Sequence, residues 1–319
     1  MTTRLMGYLR LMRLANIVTA VSDILAGVAI AGSVLSVTHG FTLQPLPFGK
    51  LIIQQGGFAS VYPILLLALS TIGLYGGGVV LNDVFDAELD KKERPERPIP
   101  SGLISKRSAA AFGVSLLIMG VVAAAGTDTG KVFSSSTLLA LSISVAAVVY
   151  DKWMKHHSIL GPLNMGLCRG GNLLLGMSLF SFALGLYWFI AIIPVMYIAA
   201  ITMISRGEVH GGKKTTLYFA TGFYSLVIAA ILVVAYLNHC IIEALPLVIL
   251  FGILIFPSLQ KAIQKPEGSR IGKAVKSGVI GLIAMNASWA AAFGDIYFAA
   301  AILILLPISF FLARLFAVT

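Results

Sequence analysis

Charge is what this sequence has least of. Asp, Glu, Lys and Arg together supply 11% of the 319 residues, hydrophobic residues supply 58%, and the mean hydropathy is +0.94. That balance excludes a soluble globular domain and a disordered chain alike, and leaves an integral membrane protein. Only two cysteines are present, Cys168 and Cys240. They fall at opposite ends of the apolar stretches described next, too far apart to bridge, so no disulfide framework is expected. Histidines number five. His156 and His157 are adjacent and point apart on a helix, which gives no zinc-ligand spacing and reads as a solvated loop.

What is present in quantity is apolar sequence in runs of about 17 to 25 residues, the length that crosses a bilayer. Ten such stretches are read, at 14–34, 61–82, 106–126, 133–150, 161–182, 186–204, 215–237, 240–258, 274–292 and 295–315. The basic residues agree with this division. With the N-terminus inside, the inner segments carry Arg4, Arg10, Arg13, the Lys91–Arg107 cluster, Lys152, Lys155, Arg206, Lys213, Lys214, the Lys261–Lys276 cluster and Arg314, while the outer loops hold only Lys50 and Lys131. Lys and Arg concentrate on the cytoplasmic side of membrane proteins and favour anionic lipid headgroups there. The formal charge of +10 therefore needs no nucleic acid as partner. A signal peptide is imitated by Arg4–Arg13 followed by Leu14–Ile30, but Asn16 and Asp23 inside that stretch argue for a retained span. Residues 35–60 read as an ordinary extramembrane loop. No linker or composition shift divides the chain, so the expected architecture is all-α, one polytopic transmembrane domain over residues 1–319, with both termini inside.

Against that background one segment stands out. Asn82-Asp83-Val84-Phe85-Asp86-Ala87-Glu88-Leu89-Asp90 crowds carboxylates at the inner end of the second span. Continued as a helix at about 100° per residue, Asp83, Asp86 and Asp90 fall within an arc of about 60°, with Glu88 on the far side. After them Lys91-Lys92-Glu93-Arg94-Pro95-Glu96-Arg97-Pro98-Ile99-Pro100 places three prolines that stop the helix and are expected to hold an extended turn, bringing cations beside the carboxylates. Oxygen ligands of this kind suit Mg²⁺, which keeps several waters and completes its shell with phosphate oxygens, and Arg94 and Arg97 are placed to hold the same phosphates. A salt-bridged inner loop that only fixes topology is the alternative. Ionisable groups at the membrane edge are costly, and this favours a site.

Asn82, Asp83, Asp86 and Asp90 match in full the NDxxDxxxD motif at the inner end of the second helix of the UbiA superfamily of intramembrane prenyltransferases, which the chain resembles over nearly its whole length. Within the superfamily, Arg13–Ala20, Glu93–Gly102 and Gly161–Gly170 look like the EboC branch, whose reaction the resemblance does not assign. The resemblance implies a nine-helix UbiA-type core with a tenth, C-terminal span. It implies that Asp83, Asp86 and Asp90 bind Mg²⁺ bridged to the diphosphate of a polyprenyl donor, with Asn82 assisting. The expected activity is transfer of the polyprenyl group to a small acceptor, aromatic ones included, on the cytoplasmic side of a bacterial inner membrane. Metal and cations would neutralise the charge growing on the leaving diphosphate, and aromatic faces at Tyr75, Phe85 or Tyr150 could stabilise the allylic cation.

The family's second acidic motif aligns with Ile204–Thr215 and departs from the pattern. Glu208 can replace the second carboxylate as catalytic and metal-binding residue, whereas Ile204 stands where the first would be. Arg206, Lys213 and Lys214 are expected to supply positive charge to the diphosphate in its place, or to be topological charges only. Tyr150 and Lys155 fall where the family has a tyrosine and a basic residue close to substrate, at a loosely matching spacing. Asn16 matches a position that lines the family's central cavity. Asp23, an intramembrane carboxylate, is a functional candidate or the structural partner of Arg169. Arg169, Asn164 and Asn172 share one side of the fifth span and either bind the acceptor or join helices by hydrogen bonds. A non-catalytic lipid or metabolite carrier with this fold is the competing reading, favoured by Ile204. A transporter would explain Asp23 and Arg169 but not the three converging aspartates.

Overall fold

The structure is a computed structural model. It describes residues 3–38, 58–128, 130, 133–208 and 211–316. The central part of the loop read at 35–60 and residues Lys50, Lys131 and His210 lie outside the described residues. Every regular element is helical: α1 (Thr3–Leu11), α2 (Leu14–Thr38), α3 (Phe58–Phe85), α4 (Ala87–Glu93), α5 (Lys106–Ala125), α6 (Ser135–Val149), a π-helical turn (Tyr150–Met154), α7 (Leu160–Met177), α8 (Ser181–Tyr187), a 3₁₀ turn (Trp188–Ala191), α9 (Ile192–Ser205), α10 (Lys214–Leu237), α11 (Ile241–Gln264), α12 (Gly268–Ala292) and α13 (Ile296–Leu315). Each of the ten predicted stretches corresponds to one long helix, with α8, the 3₁₀ turn and α9 together forming the sixth. The all-α membrane architecture read from composition is the architecture observed.

Eight helical segments among the described residues are long and apolar enough to cross a membrane by themselves. The two other long helices, α7 and α12, each turn a small or polar face toward other helices. From Ile280 to Ala292 every residue of α12 is buried, and α7 carries Asn164, Arg169 and Asn172 in its buried face. A helix face packed against other helices meets no lipid, so small and polar residues replace the bulky apolar ones there without penalty provided the polar groups are paired.

Neighbouring helices pack in chain order from α3 through α5, α6, α7, α9, α10, α11 and α12 to α13, and α2 closes the arrangement against α3, α7, α12 and α13. Apolar burial gives little attraction between helices in lipid, so close van der Waals approach must hold them. The α2–α7 crossing shows how the sequence permits it. A methyl group added at Gly27 would lie 2.2 Å from the Leu173 carbonyl oxygen, and one at Gly176 would lie 2.3 Å from that of Ile24. Both carbonyls are backbone and cannot yield without parting the helices. Gly27→Ala is expected to destabilise the fold by about 1–3 kcal/mol, read as a lowered midpoint of unfolding in detergent. An unchanged midpoint would mean that this crossing is looser than it is drawn.

Two local departures from helix geometry aim side chains at the charged end of the bundle. Between α1 and α2, Arg13 adopts φ 50°, a left-handed conformation that costs a non-glycine residue of order 1 kcal/mol or more. The other departure is the π turn, where the Lys155 N–H donates to the Tyr150 carbonyl at 2.9 Å. On an α-helix, residues five apart diverge by about 140°. The wider i→i+5 turn reduces that angle and sets Tyr150 and Lys155 toward one side, which accounts for their unusual spacing in the sequence.

Candidate active site

The helix through Asn82 breaks briefly at Asp86 and resumes as α4, yet the i→i+4 bonds continue: the Asp86 N–H reaches the Asn82 carbonyl at 3.0 Å and the Asp90 N–H reaches that of Asp86 at 2.8 Å. The carboxylates therefore keep nearly the predicted arc. Glu88 points elsewhere and pairs with Lys91 at 3.0 Å in solvent, and the hydrogen bond from that lysine holds its carboxyl below the usual range. The proline segment is not the extended turn expected from its composition. It folds into successive tight turns, with Arg97 N–H bonded to the Arg94 carbonyl, Ser101 N–H to Arg97, Gly102 N–H to Ile99 and Ile104 N–H to Pro98, and with Gly102 at φ 78°. Proline fixes φ near the value these turns need, and the compact path returns Arg97 to the end of α3.

Each motif carboxylate then meets a cation, and Arg97 serves two of them. Asp83 accepts from Arg13 Nη2 at 2.8 Å and from Arg97 Nη1 at 3.4 Å, while Asp90 accepts from Arg97 Nη1 at 2.7 Å. Asp86 is paired with Lys155, whose ammonium also lies 3.4 Å from Asn82 Oδ1. Asn82 in turn donates to Asp151 Oδ1 at 2.7 Å. Asp90 is almost fully buried and Asp86 is partly open. Arg97 Nε is buried with no hydrogen-bond partner among the described residues, a donor with spare capacity beside two carboxylates.

Below this cluster runs a cavity of about 320 Å³ whose mouth is lined by Arg13, Asn82, Tyr150, Asp151 and Lys155, whose walls are mostly aliphatic, and whose inner end is lined by Thr71, Tyr75, Arg169 and Asn172. The three motif aspartates do not themselves line it. Their cationic partners Arg13 and Lys155 do, so the cavity presents positive charge backed by carboxylates. Asp83, Asp86 and Asp90 are hard-oxygen donors that fit Mg²⁺ in their chemistry. In the structure those oxygens are neutralised by guanidinium and ammonium groups, and among the described residues no three acidic, histidine or cysteine side chains gather at metal-binding separation.

The other predicted residues divide. Tyr150, Lys155 and Arg169 line the cavity. Asn16 does not; Arg13 reaches the cavity from that end of α2 instead. Glu208 is partly buried. Burial raises its carboxyl pKa, and the nearby charges of Arg94 and Arg13 oppose that rise, which places Glu208 in electrostatic reach of the guanidinium that holds Asp83. Arg206 is turned away: it is exposed and donates to the carbonyls of His157 at 2.6 Å and Ser158 at 3.3 Å, securing the link into α7. Lys213 lines a separate pocket together with Ile204, Arg206 and Gly212. Ile204 is buried. Phe85 is exposed and outside the cavity, and the Tyr75 ring already carries the Arg169 guanidinium 5.5 Å from its centroid, which leaves Tyr150 as the aromatic face at the mouth. His157 is more than a solvated loop residue, since its Nδ1 accepts the N–H groups of Ile159 and Leu160 at the start of α7.

Two residues of the cluster carry no distinguishing signal in the sequence. Arg13 resembles any other positive charge preceding a span, and only its left-handed turn directs it at Asp83. Asp151 stands between Tyr150 and Lys155, but a single acid at a helix end is ordinary. Asp23 and Arg169 do pair, at 3.2 Å.

The arrangement agrees with what the chain is similar to. The model of the UbiA prenyltransferase family matches residues 42–276. A digeranylgeranylglyceryl phosphate synthase from Methanococcoides burtonii is 34% identical over 176 residues, 55% of this chain and 56% of that protein. The chain thus spans little more than half the length of such curated relatives. A structure solved in a study of digeranylgeranylglyceryl phosphate synthase in membranes superposes with a TM-score of 0.61 at 22% identity, over 93% of this chain and 100% of that one. A UbiA homolog from Archaeoglobus fulgidus bound to DMAPP and Mg²⁺ superposes with a TM-score of 0.60 at 15% identity, over 91% of this chain and 99% of that one. These likenesses reach the superfamily and do not touch the EboC branch. By the family match, the fold and the intact first motif, the chain belongs to the UbiA prenyltransferase family.

Proposed function

We propose that this protein carries out Mg²⁺-dependent transfer of a polyprenyl group from a polyprenyl diphosphate to a small acceptor, with the charged end of the bundle on the cytoplasmic side of the membrane. The observation that carries the reading is the cavity itself, largely apolar along its walls and lined at its mouth by cations that each hold a motif carboxylate. An isoprenoid chain needs the first property and a diphosphate the second. The relatives named as digeranylgeranylglyceryl phosphate synthases and the homolog bound to DMAPP and Mg²⁺ support the same chemistry.

Asp83, Asp86 and Asp90 would hold the metal, with Asn82 orienting the group through its bonds to Lys155 and Asp151. Bound there, Mg²⁺ supplies charge neutralisation of the leaving diphosphate. With those carboxylates holding the metal, Arg13, Arg97 and Lys155 would be available to donate to phosphate oxygens, and Arg97 Nε has a free N–H among the described residues. Glu208 and Arg94 flank the same end. The C–O bond of the allylic diphosphate breaks with its electron pair on the diphosphate. The aliphatic walls exclude water that would quench the allylic cation, and the Tyr150 ring faces it. The acceptor then forms the new bond and loses a proton toward the open, hydrated mouth.

The test is turnover by the full chain in nanodiscs with labelled polyprenyl diphosphates of several lengths and a lipid extract as acceptor source. Diphosphate release is expected, falling by about 10²-fold or more when EDTA removes the metal and returning with Mg²⁺. No diphosphate release from a donor of any length would overturn the enzyme reading. The carrier reading would then stand, on the buried Ile204 that leaves the second motif with one carboxylate.

A further inference from the structure

The apolar interior of the bundle is not one core but two. The larger runs through the spans. The second lies at the charged end and gathers Leu11 of α1, Val84 of α3, Ala87 of α4, Ile99 and Ile104 of the proline segment and Ala109 of α5. Two arginines emerge from it. Arg13 follows Leu11 by two residues and Arg97 precedes Ile99 by two, and both guanidinium groups reach the same oxygen, Asp83 Oδ1, at 2.8 and 3.4 Å.

Helix α1 has little else to hold it. It is nine residues long, too short to be stable as an isolated helix in water, and its Arg4 and Arg10 are exposed. Its hold is the side that faces the second core. Leu11 is 1% exposed. The Tyr8 ring meets Phe112 of α5 edge-on, with 4.9 Å between centroids. Gly7 lies so close to the proline segment that a methyl group there would come within 3.0 Å of both Leu103 and Ile104 side chains. Directly after this anchored helix stands Arg13, at φ 50°. A left-handed conformation of this kind persists only where its surroundings over-determine it. Freed from the core, Arg13 would relax to a right-handed φ, α1 and α2 would run on as one helix, and the guanidinium would swing off Asp83.

We propose that α1 is a positioning element for the diphosphate end, with Tyr8 as its positioning residue. The second core holds α1, α1 holds Arg13 in its left-handed turn, and the turn aims Arg13 at Asp83 and at the mouth of the cavity, which Arg13 lines. A loosened α1 deprives the mouth of one phosphate donor, while Asp86 and Asp90 keep their partners Lys155 and Arg97. The identity of the anion rests on the prenyl-transfer reading; the placement of Arg13 does not.

The test uses the full chain in nanodiscs. Arg13 is labelled with p-hydroxyphenylglyoxal, without donor or metal, and quantified by mass spectrometry against the exposed Arg314 of α13. Tyr8→Ala is expected to raise the labelling rate of Arg13 by about threefold or more, because the guanidinium leaves its carboxylate, whereas Tyr8→Phe keeps the ring and the native rate. Binding is then read with Mg²⁺ and tritiated geranylgeranyl thiolodiphosphate, a non-reacting analogue. Tyr8→Ala and Arg13→Leu are each expected to weaken it by about tenfold, and the two together no further than Arg13→Leu alone. General structural damage would instead add to the loss of Arg13. Should Tyr8→Ala not fold, Phe112→Leu removes the ring contact from the other side and takes its place in both measurements. Unchanged labelling of Arg13, or a double variant weakened by the product of the single effects, would overturn the positioning role. Labelling that rises as expected in a chain that binds no analogue would keep α1 as the holder of Arg13 and remove the prenyl diphosphate.

Discussion

Replacing Asp86 by alanine is expected to reduce turnover of a polyprenyl diphosphate by about 10³-fold while leaving the unfolding midpoint nearly unchanged. The two effects separate because of where Asp86 sits. Its pair with Lys155 is partly open to solvent, with side-chain exposures of 15% and 22%, and pairs of that kind contribute on the order of 1 kcal/mol or less. For catalysis the same carboxylate would hold the metal and keep Lys155 at the mouth, and both are lost together. Asp90→Ala provides the contrast: Asp90 is nearly fully buried and accepts from Arg97 at 2.7 Å, so its removal strands a guanidinium and should lower stability as well as activity. Rates of diphosphate release and unfolding midpoints of the two variants, measured side by side, check the distinction. An Asp86→Ala variant that retains more than a tenth of the native rate would remove Asp86 from the reaction.

Arg169→Leu is expected to destabilise the bundle by about 3–5 kcal/mol, the cost of leaving one partner of a buried ion pair uncompensated. Asp23 would keep its amide donors Asn172 and Asn286 but lose the guanidinium that balances its charge. Replacing both members, Asp23→Leu with Arg169→Leu, should recover much of that loss, because Asn172 retains the Ala20 carbonyl and Asn286 retains the Ser22 hydroxyl. A double-mutant cycle from equilibrium unfolding in detergent measures the coupling. Single and double variants of equal stability would show that Asp23 and Arg169 are not a coupled ion pair.

Much of this was legible in the sequence. Ten apolar stretches and the side on which Lys and Arg collect come from local rules, since a span must be about as long as the bilayer is thick and its ends follow charge. Helical periodicity put Asp83, Asp86 and Asp90 on one arc, and the structure keeps them there because the hydrogen-bond ladder survives the break at Asp86. Arg206 shows where local reading ends: it stands in a motif-like position, yet its guanidinium caps carbonyls near α7 on the exposed surface. The proline segment shows the same limit, since three prolines announce a turn but not whether it is extended or folded back.

By itself the sequence determined a membrane-embedded helical chain with a carboxylate motif at one end, because length, hydropathy and helical angle are properties of neighbours along the chain. Only the tertiary structure decided which cation each carboxylate meets, that Arg13 and Asp151 belong to the mouth of the cavity, and that Asp23 neutralises Arg169 at its inner end. Those pairings join residues 70, 69 and 146 positions apart. They depend on how closely helices approach through glycines such as Gly27 and Gly176, and on two irregular turns that re-aim single side chains. No periodicity encodes such contacts, because their energies come from burial and charge balance that exist only once the helices are packed.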